Sequence, residues 1–153
     1  MTRRDKWARA LEVISLLLAA QGISWALLGS FDPWGIWDGL AARALYGAAE
    51  LPEGALPFGR LMMVLLGGTD AGFFVLLYVL VRYGVRAGEH WAHRGAMAGM
   101  LTWFVIDTAG SLLLGATFNV VLVNIPALLL VGIPLWSIRP EDRARRSASS
   151  PQA

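Results

Sequence analysis

The stretch that decides the fold runs from Leu61 to Val81 and reads LMMVLLGGTDAGFFVLLYVLV. It contains no Lys or Arg, and its one charged side chain is Asp70. A helix needs about 20 mostly apolar residues to cross roughly 30 Å of hydrocarbon. Because the bilayer interior offers no water to backbone polar groups, we predict that this stretch is a membrane-spanning helix.

Three other apolar runs share this character, and none of them contains a Lys or Arg. The composition agrees, because only 16% of the residues are charged, whereas soluble domains average about 25%. The mean hydropathy is +0.55. We predict an all-α polytopic membrane protein with a four-transmembrane-helix bundle in residues 1–138 and a disordered cytoplasmic tail in 139–153. The expected spans are 11–29, 61–81, 96–114 and 120–136.

The first run follows a basic leader, as the apolar core of a secretory signal peptide does. The triplet Ser24-Trp25-Ala26 also loosely fits the small residues of a cleavage site. The run is longer than the roughly 7–15 apolar residues of a signal core. We therefore interpret it as a retained span.

The basic residues predict the orientation. Eleven of the 13 Lys and Arg residues lie in the N-terminal flank, in the loop between spans two and three, and in the tail. Four spans would put these segments on one side, and the positive-inside rule makes that side the cytoplasm, with both termini in it. The net charge of +2 comes from these short flanks. With no continuous basic face, we expect the lipid bilayer as partner and no nucleic acid.

The outer loop predicts one short amphipathic helix. Asp32 and Pro33 read as an N-cap followed by proline at the first helical position. An apolar face comes next, and the helix would lie on the membrane surface or fold over the spans. We expect coil from Gly47 to Pro57, and antiparallel packing of spans three and four across the short link Gly115 to Asn119. The apolar face is formed by Ile36, Trp37, Leu40 and Ala44.

Polar residues inside the spans form the most informative pattern. Asp70 and Asp107 each lie roughly 10–15 Å from the outer end of their spans, at 1.5 Å per residue. An acidic residue at that depth costs about 2.5–3.5 kcal/mol, so it usually faces a bundle interior. The outer halves of all four spans hold polar groups, whereas the inner halves are nearly all aliphatic. The candidate ligand- or proton-binding residues are Asp70, Asp107, Asn124, Asn119, Gln21 and Trp103.

These polar groups have a functional and a structural interpretation. Two carboxyl groups with amide donors suit proton relay, cation binding or hydrogen bonding to a polar headgroup. Alternatively, they hold the helices together through interhelical hydrogen bonds worth on the order of 0.6 kcal/mol each. We predict neither a metal nor a cofactor, since Arg94 opposes a cation beside His90 and His93. Small residues favour close helix approach at Gly67, Gly68, Ala71 and Gly72, and Gly95 and Gly99 have GxxxG spacing.

A resemblance rests on two stretches of spans three and four. Trp103-Phe104-Val105-Ile106-Asp107-Thr108, and Phe118-Asn119-Val120-Val121 through Asn124, resemble small four-helix bacterial membrane proteins without an assigned function. In general plan the chain is similar to the DoxX-like and BphX-like families. The resemblance implies a multi-pass protein of the bacterial cytoplasmic (inner) membrane and assigns no catalytic residue.

Three functions fit the sequence. The first is a small membrane subunit or scaffold that binds a membrane-protein partner or forms a homo-oligomer. The second is a carrier or binder of protons, a cation or a small lipophilic molecule, centred on Asp70 and Asp107. The third, and the least supported, is a membrane enzyme that uses the two carboxyls as acid and base.

Overall fold

In the computed structural model, residues 3–28 and 35–138 are described, and the regular elements within these ranges are all helices. Six α-helices are joined by short turns, and two π-helical segments interrupt them. The α-helices are α1 (Arg3–Leu28), α2 (Ile36–Tyr46), α3 (Leu56–Val79), α4 (His90–Leu113), α5 (Thr117–Asn119) and α6 (Ile125–Ser137); a 3₁₀ turn covers Glu53–Ala55, and the π segments are Leu80–Val85 and Val120–Asn124.

Four continuous helices are long and apolar enough to span a membrane. The shortest has 21 residues, which at 1.5 Å per residue covers about 32 Å. Each begins before its predicted apolar run, because polar flanking residues continue the helical hydrogen-bond ladder. The all-α fold with four long apolar helices is thus confirmed. These helices are Arg4–Leu28, Glu53–Val85, His90–Leu113 and Thr117–Ser137.

The expected loop helix is present as α2. It begins after Gly35, whose φ of +63° belongs to the left-handed region that favours glycine. The predicted N-cap at Asp32 and Pro33 lies outside the described residues, as does the predicted tail disorder. The predicted coil is wrong at its end, because Pro57 lies in the first turn of α3. Proline is tolerated there because the first N–H groups of a helix have no intrahelical acceptor.

Three residues, 114–116, separate α4 from α5. Gly115 has a φ of +72° in this turn, and the Gly115 N–H donates to Leu112 O at 3.1 Å. So tight a turn makes the long helices His90–Leu113 and Thr117–Ser137 antiparallel neighbours. This agrees with the expectation for the short link between spans three and four.

The closest helix approach joins α1 to α3. Gly22 and Gly67 face each other, and a Cβ at Gly22 would lie 2.7 Å from both Ala71 N and Gly67 O. Only residues without a side chain allow backbones to come this near. The predicted close approach is therefore made by Gly67 and Ala71, whereas Gly68 and Gly72 face open space.

The apolar core is concentrated near one end of the bundle. We call the end that carries Arg4, Arg82 and Arg86 the basic end, and the opposite end, beside α2, the α2 end. Five large aliphatic side chains near the basic end are fully buried, and polar side chains occupy the half toward the α2 end. This asymmetry matches the aliphatic and polar halves of the predicted spans. The buried side chains near the basic end are Leu11, Val81, Val85, Leu135 and Ile138.

Candidate functional site

The polar groups of the fourth long helix reach across to α4. Asn119 Nδ2 donates to Asp107 Oδ2 at 2.9 Å and to Ser111 Oγ at 2.8 Å. One amide therefore uses both of its N–H donors on a single helix face. The contact orients the Asp107 carboxyl and ties the start of the fourth long helix to α4.

A second amide contact lies further into the bundle. Asn124 is fully buried, and its Nδ2 donates to Thr108 Oγ1 at 3.0 Å. Within residues 3–28 and 35–138, its buried Oδ1 has no hydrogen-bond partner. Exchanging the two ends of the amide would keep the Thr108 contact, since a hydroxyl both donates and accepts, but would leave both N–H donors of the nitrogen unpaired, which is the poorer arrangement. Leaving such a buried group unpaired costs about 1–3 kcal/mol.

The π segment explains why both amides face α4. In a regular α-helix, residues five positions apart point about 140° away from each other. The wider turns of Val120–Asn124 reduce that difference. Pro126 comes directly afterwards, and its missing N–H interrupts the ladder where the π segment ends. The local sequence thus brings Asn119 and Asn124 to the same neighbouring helix.

Asp70 completes the group from α3. Its side chain is half-buried, and its Cβ lies beside the Gly22 contact of α1. Asp70 on α3 and Asp107 on α4 both lie in the half of the bundle toward the α2 end. Among residues 3–28 and 35–138, no hydrogen bond or ion pair holds that carboxyl. We call Asp70, Asp107, Thr108, Ser111, Asn119 and Asn124 the polar layer.

Two of the candidate residues lie outside this group. Gln21 is exposed on α1, and its side chain makes no hydrogen bond within the described residues. Trp103 is half-buried and packs against the apolar core. The Ser24 hydroxyl donates to Gln21 O in its own helix, at 2.7 Å. Neither Gln21 nor Ser24 bonds a residue of the other long helices within the described residues.

Helix α2 lies beside the polar half of the bundle and contacts it at Phe118. The Trp37 and Phe118 rings meet edge to face with their centroids 4.9 Å apart. A cavity of about 270 Å³ lies between α2 and the start of α3, with Met63 and Arg60 in its lining. Met63 precedes Asp70 by seven residues, so both lie on the same face of α3.

A cluster at the basic end was missed by sequence reasoning. Glu12 of α1 pairs with Arg86 at 3.1 Å and with Arg82 at 3.6 Å. Arg4 Nη2 donates to Val85 O at 2.8 Å. Glu12 is the only charged residue of the first apolar run. That isolated carboxylate, set against arginines on an adjacent helix end, was the available signal.

His93 closes the same end of the bundle. Its Nε2 lies 2.9 Å from Leu135 O, one of the last four carbonyls of α6, which lack intrahelical donors. Within 3–28 and 35–138, no three His, Asp or Glu side chains are grouped as metal ligands. Comparisons with protein-family models, curated proteins and solved structures found no match to this chain.

Proposed function

We propose that this chain is a multi-pass membrane protein whose polar layer binds a small cation, either a proton or an alkali-metal ion. The observation that carries the proposal is the buried amide oxygen of Asn124, which has no hydrogen-bond partner in the described part of the chain. The amide nitrogen of the same side chain bonds Thr108, the residue next to Asp107. Native structures rarely leave such an atom without a partner, so it calls for a donor or a cation. Oxygen ligands of this kind suit hard cations.

Membrane insertion is supported by the distribution of apolar side chains. Large aliphatic residues are exposed along all four long helices, among them Leu17, Leu66, Ile106 and Leu130. A chain surrounded by water would not present so much apolar surface. We place the basic end in the cytoplasm of a bacterial inner membrane, with both termini inside, from the distribution of Lys and Arg.

The two carboxyls supply the negative charge that a cation needs. Asp107 is held by Asn119, whereas Asp70 has no such bond in the described part of the chain. We assign Asp107 as the fixed ligand and Asp70 as the group that exchanges a proton or moves toward an incoming ion. An acidic residue within a span is commonly part of an ion or proton pathway.

Ligand-dependent stability tests the proposal. The protein in zwitterionic nanodiscs is heated in NaCl, KCl or choline chloride at equal ionic strength, and separately across a pH series. A cation at 100 times its Kd stabilises by about 2.7 kcal/mol, or roughly 5–10 °C for a chain of this length. We expect Asp107→Asn and Asn124→Leu to abolish the alkali-ion shift, and Asp70→Asn to abolish the pH-dependent shift. Thr69→Ala is the matched control, since Thr69 is exposed and bonds only its own helix.

Each experimental condition identifies one kind of ligand. A shift with Na⁺ or K⁺ but not with choline identifies an alkali-metal ion. A pH-dependent shift without ion selectivity, lost in Asp70→Asn, identifies a proton. An equal response of the wild type, Asp70→Asn and Asp107→Asn under all conditions would overturn the proposal.

A partner-binding subunit is the second candidate. Gly68 and Gly72 have GxxxG spacing on an exposed face of α3, with open space around both. Such faces allow helices of two chains to approach closely. By contrast, Gly99 already packs against the Phe73 ring within the chain. Native mass spectrometry of gently extracted protein tests this: a stoichiometric partner or a homo-oligomer, lost on Gly68→Leu with Gly72→Leu, supports it, and a lone chain contradicts it.

A further inference from the structure

The arginine side chains at the basic end have many more N–H donors than hydrogen bonds within the described residues. A guanidinium carries five N–H donors. Arg4 and Arg86 each make one side-chain hydrogen bond, and the 3.6 Å contact of Arg82 with Glu12 is an ion pair only. Within the described residues, most donors of the three guanidiniums therefore have no protein acceptor. Glu12 neutralises only one of the three charges.

The cluster opens outward at Arg82. The Glu12 side chain is 13% exposed and that of Arg82 is 46% exposed. The carboxylate thus lies inside while one guanidinium stands at the surface. Tyr83 beside it is 71% exposed, and aromatic rings of this kind concentrate at the membrane–water interface. An acceptor reaching Arg82 from outside would lie at the level of lipid headgroups.

Apolar surface continues from the cluster toward the bundle centre. Val79 precedes Arg82 by one helical turn and is exposed, as is Val13 next to Glu12 on α1. Helices α1 and α3 pack against each other. An acyl chain would find an apolar path there, directly below the guanidiniums.

The charge of the surrounding surface has the same sign. Within residues 4–12 and 82–94 together, six side chains are cationic and three are anionic. Lys and Arg close to a membrane surface each contribute about 1 kcal/mol of attraction to anionic lipid. The cationic residues are Arg4, Lys6, Arg9, Arg82, Arg86 and Arg94, and the anionic residues are Asp5, Glu12 and Glu89.

We propose that the Arg4–Arg82–Arg86 cluster binds the phosphate of an anionic phospholipid, with its acyl chains lying along the seam between α1 and α3. Guanidinium and phosphate form paired, charge-assisted hydrogen bonds. Glu12 acts as a positioning residue that holds Arg82 and Arg86 toward the headgroup. The inference rests on the proposed membrane insertion and is independent of the cation site.

The experiment measures lipid retention. Protein in zwitterionic nanodiscs receives increasing phosphatidylglycerol, and bound lipid is counted by native mass spectrometry after release. Flotation of the loaded discs establishes insertion separately. We expect phosphatidylglycerol affinity to fall about tenfold in Arg82→Gln, because one charge-assisted hydrogen bond is worth about a decade. Arg94→Gln, the same charge change on an exposed residue outside the cluster, should lose less affinity than Arg82→Gln, because it removes a surface charge but no hydrogen bond to the phosphate.

A second variant and a competition with inorganic phosphate distinguish a lipid site from a site for free anions. Arg82→Lys keeps the charge but not the planar fork, so we expect intermediate affinity. Inorganic phosphate at equal concentration should not displace the lipid, and displacement would mean a free-anion site. Equal losses in Arg82→Gln and Arg94→Gln, or no preference over phosphatidylcholine, would overturn the proposal. Failure of flotation would instead contradict membrane insertion.

Discussion

Replacing Gly67 by Ala introduces a methyl group into the closest contact between α1 and α3. That Cβ would lie 2.6 Å from Ala26 N, and closer still to Gly22 O. Ordinary contact begins at 3.4 Å, so α1 must retreat by about 0.8 Å or more. Both obstructing atoms are backbone, and no side-chain rotation relieves the clash. Overpacking of this kind costs about 1–3 kcal/mol.

Gly68→Ala is the matched control for this substitution. It lies one residue away on the same helix and has nothing within 4 Å of its added Cβ. Both variants gain the same helix propensity, up to about 1 kcal/mol, so their difference isolates the steric cost. Reversible unfolding in mixed micelles, followed by far-UV circular dichroism, measures it. Equal stabilities for Gly67→Ala and Gly68→Ala would refute the packing of α1 on α3.

Three further substitutions test contacts outside that seam. Arg86→Gln should lower the free energy of unfolding by about 1–2 kcal/mol, because Glu12 is largely buried and loses a charged hydrogen bond; chemical denaturation measures this, and an unchanged midpoint contradicts the pair. His93→Ala should cost about 1 kcal/mol, since the Leu135 carbonyl loses its partner, and faster hydrogen exchange at the end of α6 would report it. Trp37→Ala removes an aromatic contact worth about 0.5–1.5 kcal/mol. It should raise exchange in α2 alone, and unchanged exchange there would contradict the docking of α2.

The fold could be predicted from hydrophobic run length, because crossing hydrocarbon sets a narrow range of helix lengths. The exact ends could not, since helices continue through polar flanks wherever no residue stops them. Pro57 illustrates this. Its position among other turn-forming residues suggested coil, yet proline is equally compatible with the first turn of a helix. Which of the two forms depends on how the residues after the proline pack in three dimensions.

The polar layer was only partly predictable. Depth along a span comes from counting residues, and it put Asp70 and Asp107 at a similar level. Direction around the helix depends on local geometry, and the π segment before Pro126 changed it for Asn119 and Asn124. Gln21 shows the opposite case, since residue counting predicts a comparable depth for it, yet the residue is exposed on α1.

The basic-end cluster shows a different limit. The positive-inside rule uses arginines to predict orientation, but it does not predict which residues they pair with. The pairing of Glu12 with Arg82 and Arg86 depends on the register between α1 and α3, which the Gly22–Gly67 contact sets. Sequence spacing alone contains no such register.

Infrared spectroscopy of the carboxyl groups in nanodiscs tests cation binding in the polar layer. Spectra are recorded while Na⁺ or K⁺ replaces choline at fixed pH, and while pH changes at fixed salt. We predict a change in carboxyl bands that disappears in both Asp70→Asn and Asp107→Asn and persists in Thr69→Ala. Identical spectral responses in the wild type and the two Asp variants would contradict a cation site at Asp70 and Asp107.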